Sequence, residues 1–327
     1  MKTIKKILIV RPELIGDTIL TTPLISEIKN KLPEANITLL LQSPMEEIIK
    51  NNPDVSNYIL INKKTGFFEL LNKIKAQKFD LSIVLEDNPR PKHAFLCFLA
   101  GIPNRIGDKS RLLYGWAYNR GVWLDSANPN LHQIELHGQL LRPLGINKIN
   151  SPLKIITDPQ IDKKFTKDKS LIGIHIGTGG GNKALTPKNY AQIANSLEKY
   201  KIGLIGGQWE VETLEEMKKY LKVPFSDFVD KLSIQELLSL IKSLKAFIGV
   251  DSGPLHAAAA LRIPTVAIFT AKDVNPKRWL PWMNKYIMIK SKYDCPLKCS
   301  HRECKEDYCS RGIDSKRVVE SVSQLLA

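Results

Sequence analysis

The chain has 327 residues, 43% hydrophobic and 25% charged, enough for two domains of roughly 150 residues that each bury a core. Its 48 Lys and Arg against 33 Asp and Glu leave a formal charge of +15 and a pI near 9.5, which favours an anionic partner: nucleic acid, a phospholipid surface or a phosphorylated substrate. No apolar run reaches the roughly 18 residues of a membrane-spanning helix, and the basic start Met1 to Lys6 leads only into Ile7-Leu8-Ile9-Val10, so neither a signal peptide nor an anchor is expected.

Apolar runs alternate with helical patterns in both halves, which predicts parallel sheets joined by right-handed crossovers. In the first half, residues 6–10, 37–41, 58–61 and 81–85 read as strands. Ser43-Pro44-Met45-Glu46 reads as a capping box opening a helix, residues 67–76 repeat apolar groups at helical spacing, and a further helix is expected from His132 to Leu144, ending at Gly145. Residues 157–170 are polar and weakly periodic with Pro159 among them, and read as a linker between domains 1–156 and 171–327. The pattern then restarts. Strands are expected at 171–176, 202–205, 246–250 and 265–269, with helices opening at Thr186-Pro187 and at the capping box Ser233-Ile234-Gln235-Glu236. The last helix, 315–326, has an apolar face at Val318, Val319, Val322, Leu325 and Leu326 that is free in this reading to pack back on the first domain. Two Rossmann-like lobes with parallel sheets facing a central cleft follow.

Three strand-to-helix turns carry polar chemistry. Asp251-Ser252-Gly253-Pro254-Leu255-His256 follows the apolar run 246–250 and precedes a small-residue helix, so the first helical amides point at the edge where an anion binds. Gly253 lets backbone approach a ligand, Pro254 suits the first helical position, His256 adds a side-chain donor, and Asp251 accepts from hydroxyls or from the turn's own amides. Gly177 to Lys183 is a glycine loop whose amides and lysine can converge on phosphate, although it has neither Walker nor dinucleotide spacing. Gly206-Gly207-Gln208-Trp209-Glu210 closes another strand; Glu210 suits a ribose hydroxyl, and a first-turn glutamate also has an ordinary structural reason to be there. In the first lobe, Gly16-Asp17-Thr18-Ile19-Leu20-Thr21-Thr22-Pro23 puts Asp17 near a helix start, whose dipole keeps a carboxylate ionised. An N-terminal cap is the alternative role for it.

The motif Gly16 to Pro23, the motif Asp251 to His256 with its Ala-rich helix, and a trailing cysteine-rich segment together resemble the bacterial heptosyltransferases of glycosyltransferase family nine, in the family's order and across nearly the whole chain. The resemblance implies a GT-B fold. It implies a nucleotide-sugar donor, by default ADP-heptose, in the second lobe and an anionic lipopolysaccharide inner-core acceptor in the first. It implies inverting transfer with Asp17 as general base, and leaving-group stabilisation by Lys183, Ser252, Gly253, Leu255 and His256, with no cofactor or metal required. The chain departs from the family after the glycine loop, where Lys183-Ala184-Leu185-Thr186-Pro187 lacks the usual tryptophan before proline.

Such an acceptor suits a basic field, and Arg11, Arg105, Arg111 and Arg120 are candidate acceptor ligands among the first lobe's cations. Cys295, Cys299, Cys304 and Cys309 are spaced C-x3-C-x4-C-x4-C; free thiols, a zinc site and disulfides all remain open for them. The implied protein is a cytoplasmic monomer, peripheral to the inner membrane. A non-catalytic nucleotide-sugar-binding relative is the alternative, and a nucleic-acid-binding protein a weaker one, since no helix-turn-helix, zinc-finger or RNP-type signature is present.

Overall fold

The structure, a computed structural model, describes residues 4–85, 90–165, 170–177, 184–271, 274–293 and 308–327. It divides into two compact units, Met1–Ile156 and Thr157–Ala327.

The first unit runs β1 (Lys6–Val10), α1 (Ile15–Lys31), β2 (Asn36–Gln42), α2 (Glu46–Ile49), β3 (Asn57–Ile61), α3 (Phe67–Gln77), β4 (Leu81–Val84), α4 (Pro91–Leu99), β5 (Asn104–Ile106) and α5 (Gln133–Gly138), the last continued by a 3-10 turn. Its described strands form a parallel sheet in the order β3-β2-β1-β4-β5. The central strands are buried along nearly their whole length, which explains why they read as continuous apolar runs. Order reverses between β1 and β4, so the loops leaving these two strands part at the carboxyl edge.

Helix α1 is buried from Thr18 to Ile25 although Pro23 stands inside it. A proline removes the amide that would bond the carbonyl four residues back, here that of Ile19. The Thr22 hydroxyl donates to that carbonyl at 2.7 Å and also accepts the Lys154 amide at 3.0 Å. The Ser43 capping box differs from its sequence reading. Ser43 bonds the Glu46 carboxylate at 3.2 Å, but the helix that follows is a single turn capped at Met45, because the Ser43 amide is already bonded to the Ile61 carbonyl beside β3.

The second unit runs α6 (Pro159–Asp162), β6 (Leu171–His175), α7 (Pro187–Asn195), β7 (Lys201–Gly206), α8 (Val211–Lys218), β8 (Phe225–Val229), α9 (Ile234–Ser243), β9 (Ala246–Val250), α10 (Gly253–Ala260), β10 (Thr265–Phe269), α11 (Pro276–Trp279), β11 (Tyr286–Lys290), α12 (Tyr308–Arg311) and α13 (Ser315–Leu326). Its described strands are parallel in the order β11-β10-β9-β6-β7-β8, with the reversal between β9 and β6.

Two sequence readings are corrected in this unit. Residues 157–165 are docked structure. Asp158 caps α6 by accepting the Gln160 amide, Lys242 of α9 bonds Thr157 and Asp162 at 2.9 and 2.8 Å, and Lys164 pairs with Glu236 at 2.9 Å. Lys164, with the amide and hydroxyl of Ser233, holds the Glu236 carboxyl down at about 2. The last helix is the second correction: Val318, Val322 and Leu325 are buried in the second unit's own core, against α7 and the β9 to β11 side of the sheet. A strongly one-sided helix buries its stripe on the nearest unfilled sheet face.

Candidate functional site

In the first unit the polar residues gather where the sheet reverses. Arg11 leaves β1 with its side chain wholly buried, and a buried guanidinium needs acceptors. It donates to the Leu85 carbonyl at the end of β4 and to the Asp17 carboxylate at 2.8 Å, and forms an ion pair with the Glu13 carboxylate at 2.6 Å. Asp17 sits at the third position of α1, where its second oxygen accepts the Leu14 amide at 3.1 Å. Asp17 is thus not the N-cap that its alternative role called for; Leu14 is, and Asp17 bonds back to it from the third helical position. The helix start and the guanidinium each favour the charged carboxylate, whose side chain is still 21% exposed.

Beside this group, a cavity of about 240 Å³ opens at the carboxyl ends of β1, β2 and β3, lined by Pro12, Gln42, Asn62, Lys63, Arg90 and Lys92 among others. Three of these are cations. The four arginines that sequence reading offered as acceptor ligands have partners within the unit. Arg11 is sealed under Asp17; Arg105 donates to the Ala117 and Ile102 carbonyls at 2.6 and 2.5 Å; Arg120 donates to the Pro143 carbonyl at 2.8 Å; Arg111 pairs with Asp108 at 3.0 Å. These arginines close the unit's own loops.

In the second unit the same kind of edge is built from β6, β7 and β9. His175 ends β6, and its Nδ1 lies 3.4 Å from the Ser252 hydroxyl after β9, spanning the reversal of the sheet. Ser252 donates to the Val250 carbonyl at 2.9 Å, which leaves the ring nitrogen as the donor to the serine oxygen. Burial pushes the His175 imidazole down to about 4, against the opposing pull of the Glu210 carboxylate, so it is neutral at pH 7. Glu210 is buried too. It accepts the Gly207 amide at 2.8 Å and packs on Gly177 and Gly206 so closely that a Cβ at either position would strike its side chain.

After β9, Asp251 stands with its carboxylate 3.9 Å from Nε2 of His256, which is buried in the second turn of α10 with its ring 6.4 Å from that of Trp279. Pro254 occupies the second helical position rather than the first, and the amides of Leu255 and His256 both turn back to the Ser252 carbonyl at 3.1 and 3.4 Å. Leu255 therefore offers no amide to a ligand. The amides that the helix ladder leaves at this turn belong to Ser252 and Gly253, since proline has none. Lys183 and most of the glycine loop lie outside the described residues, as do Cys295, Cys299 and Cys304; Cys309 lies in α12. Among the described residues, no three His, Cys, Asp or Glu side chains converge as a metal site would require.

Two parallel, doubly wound α/β units are the architecture of the GT-B class of glycosyltransferases. The sequence profile described as glycosyltransferase family 9 (heptosyltransferase) matches residues 67–309, and the chain belongs to that family. Lipopolysaccharide heptosyltransferase 3 of Escherichia coli is 26% identical over 84% of this chain and 85% of its own length. Lipooligosaccharide heptosyltransferase 2 of Haemophilus influenzae is 25% identical over 98% of this chain and 99% of its own. Among solved structures, the family 9 glycosyltransferase of Veillonella parvula aligns with a TM-score of 0.85 at 22% identity, covering 100% of this chain and 98% of that one. E. coli ADP-heptose lipopolysaccharide heptosyltransferase II gives 0.78 at 21% identity over 98% of each chain, and E. coli heptosyltransferase WaaC with ADP gives 0.76 at 15% over 98% and 99%. No helix among the described residues is long and apolar enough to cross a membrane.

Sequence reading missed His175 and the anchoring role of Arg11. The signal for His175 was its place, a titratable residue ending a fully apolar strand directly before a glycine loop; for Arg11 it was a charge directly after β1 and six residues before Asp17.

Two stability measurements check this geometry. Arg11→Ala strands two carboxylates and a carbonyl, and is expected to lower the free energy of urea unfolding by roughly 3–5 kcal/mol. Asp17→Asn, which keeps an oxygen for the Leu14 amide but turns an NH2 donor toward the buried guanidinium, is expected to lower it by roughly 1–3 kcal/mol. His175 gives a pH signature. Its folded value of about 4 lies below the ordinary 6.5, so the unfolded chain takes up the proton first and stability falls as pH drops from 6.5 to 4, by a total of order 3 kcal/mol. His175→Gln is expected to flatten that part of the unfolding profile.

Proposed function

We propose that the chain transfers heptose from ADP-heptose to an anionic inner-core sugar of lipopolysaccharide, with inversion at the anomeric carbon and Asp17 as general base. The observation that carries the reading is the Asp17 carboxylate, charged, part-exposed and held by a wholly buried arginine at the point where the first sheet reverses. The heptosyltransferase relatives and the solved neighbour with ADP support the donor and the acceptor class.

In a single displacement the acceptor oxygen bonds to the anomeric carbon as the bond to the diphosphate breaks, and the hydroxyl proton passes to Asp17. Arg11 keeps the carboxylate deprotonated and aimed. The leaving diphosphate is received by the Ser252 and Gly253 amides at the start of α10, with the buried His256 ring beneath them, and by Lys183 from the glycine loop. Glu210 accepts the ribose hydroxyls. On the acceptor side, Lys63, Arg90 and Lys92 around the cavity of the first unit suit the phosphates and carboxylates of an inner-core acceptor.

Asp17→Ala is expected to lower kcat by about a hundredfold or more while calorimetry finds ADP affinity unchanged. Undiminished turnover would remove Asp17 from the chemistry. His256→Gln, which preserves volume, is expected to weaken ADP binding by about tenfold. A thermal-shift panel of nucleotide sugars tests the donor: ADP-heptose is expected to raise the unfolding temperature more than its UDP or GDP counterparts.

A further inference from the structure

Arg11 is given more negative charge than its burial requires. The Leu85 carbonyl and one carboxylate would satisfy and neutralise the guanidinium, yet it carries two carboxylates, Asp17 on Nη2 at 2.8 Å and Glu13 on Nη1 at 2.6 Å. One positive charge therefore meets two negative ones. Like charges held on a single cation repel each other, and each pays for the water it gives up. The start of α1 offsets part of this for Asp17 at the third helical position, whereas Glu13 stands before the helix begins. A second carboxylate kept at such a cost marks a site rather than a scaffold.

The two acids also reach water while the cation between them does not. Arg11 is sealed, but the side chains of Glu13 and Asp17 remain 19% and 21% exposed. Oε2 of Glu13, the oxygen turned to the guanidinium, is buried, so the exposure belongs to the rest of that side chain. Leu14 lies between the two acids in the sequence and is 68% exposed, with its amide fixed on Asp17 at 3.1 Å. The short connection from β1 to α1 thus brings two carboxylates and an apolar side chain to one opening at the sheet reversal.

Chemistry selects the occupant. An ionised carboxylate only accepts hydrogen bonds, so whatever meets Glu13 must donate or be a cation. Carboxylates already committed to an arginine make poor metal ligands, and among the described residues no three His, Cys, Asp or Glu side chains converge. A sugar fits better: it carries hydroxyl donors on neighbouring carbons along its edge and C–H groups across its face. We infer that Glu13 is a ligand of the acceptor sugar, accepting from the hydroxyl next to the one whose proton passes to Asp17, with Leu14 against the C–H face. The assignment rests on the transfer reading for the identity of the sugar and adds to it the residue that selects which hydroxyl meets the base.

A binding cycle tests it. Calorimetry without donor compares a synthetic, water-soluble inner-core acceptor with its counterpart lacking the hydroxyl next to the reacting one. The parental chain is expected to bind the deoxy compound about tenfold or more weakly, the cost of losing a hydrogen bond to a charged group. In Glu13→Ala the complete acceptor is expected to bind about tenfold or more weakly, and the two compounds to become equal within about twofold, the coupling that marks a direct contact. The comparison is internal to each protein, so a change in stability cancels. Glu13→Gln, which keeps the shape of the side chain, is expected to narrow the gap in the same direction. Discrimination of equal size in the parental chain and in Glu13→Ala would overturn the assignment and leave Glu13 as a brace for Arg11. So would a parental chain that binds both compounds alike, or neither. The transfer reading fails separately, when Asp17→Ala keeps its turnover, and the binding comparison does not depend on that result.

Discussion

A guanidinium removed from water has to be answered by acceptors on several sides, and that requirement organises the first unit. Arg11 stands where the loops from β1 and β4 part. Its bonds tie the Leu85 carbonyl from one strand to two carboxylates that follow the other. Asp17 then has little freedom left: one oxygen faces Arg11, the other bonds an amide at the start of α1. A carboxylate fixed at both oxygens needs no rearrangement to meet a substrate, and preorganisation of this kind lowers a barrier without being undone during the reaction.

The second unit solves the corresponding problem with the opposite electrostatics. Its sheet reversal is bridged by a neutral imidazole and a hydroxyl, with one carboxylate folded into a glycine-walled slot nearby. Such a site leaves room for the charge to arrive with the ligand. The first unit pairs its carboxylates with a buried arginine, whereas the second sets Glu210 and Asp251 beside histidines and helix amides.

How much of this was legible in the sequence follows from burial. Strands such as Ile7 to Val10, Ala246 to Val250 and Thr265 to Phe269 are covered on both faces and read plainly. The strands that went unread, β5, β8 and β11, all lie at sheet edges; Phe225-Ser226-Asp227-Phe228-Val229 keeps polar groups because one side meets water, and β5 has just three residues. Asp17, Asp251 and His256 could be found because turn chemistry leaves a local pattern. Arg11 and His175 each also hold a partner 74 or 77 residues away, Leu85 and Ser252, and the local signals at these two positions do not encode that long-range pairing. The carbonyls that Arg105 and Arg120 hold were hidden for the same reason: a cation in a loop looks alike whether it faces solvent or holds a distant carbonyl.

Helix α1 contains a less visible dependence. One hydroxyl, that of Thr22, both fills the gap left by Pro23 and receives the amide of Lys154, 132 residues further along. The returning strand of chain is further tied by the Glu27 carboxylate to Asn150 and Ser151, and by Lys154 to Asp54. Residues 150–154 are therefore held by the same helix whose start presents Asp17. Sharing these bonds, the two segments are expected to open together in hydrogen exchange, with the amide of Lys154 reporting on a helix that it follows by more than a hundred residues.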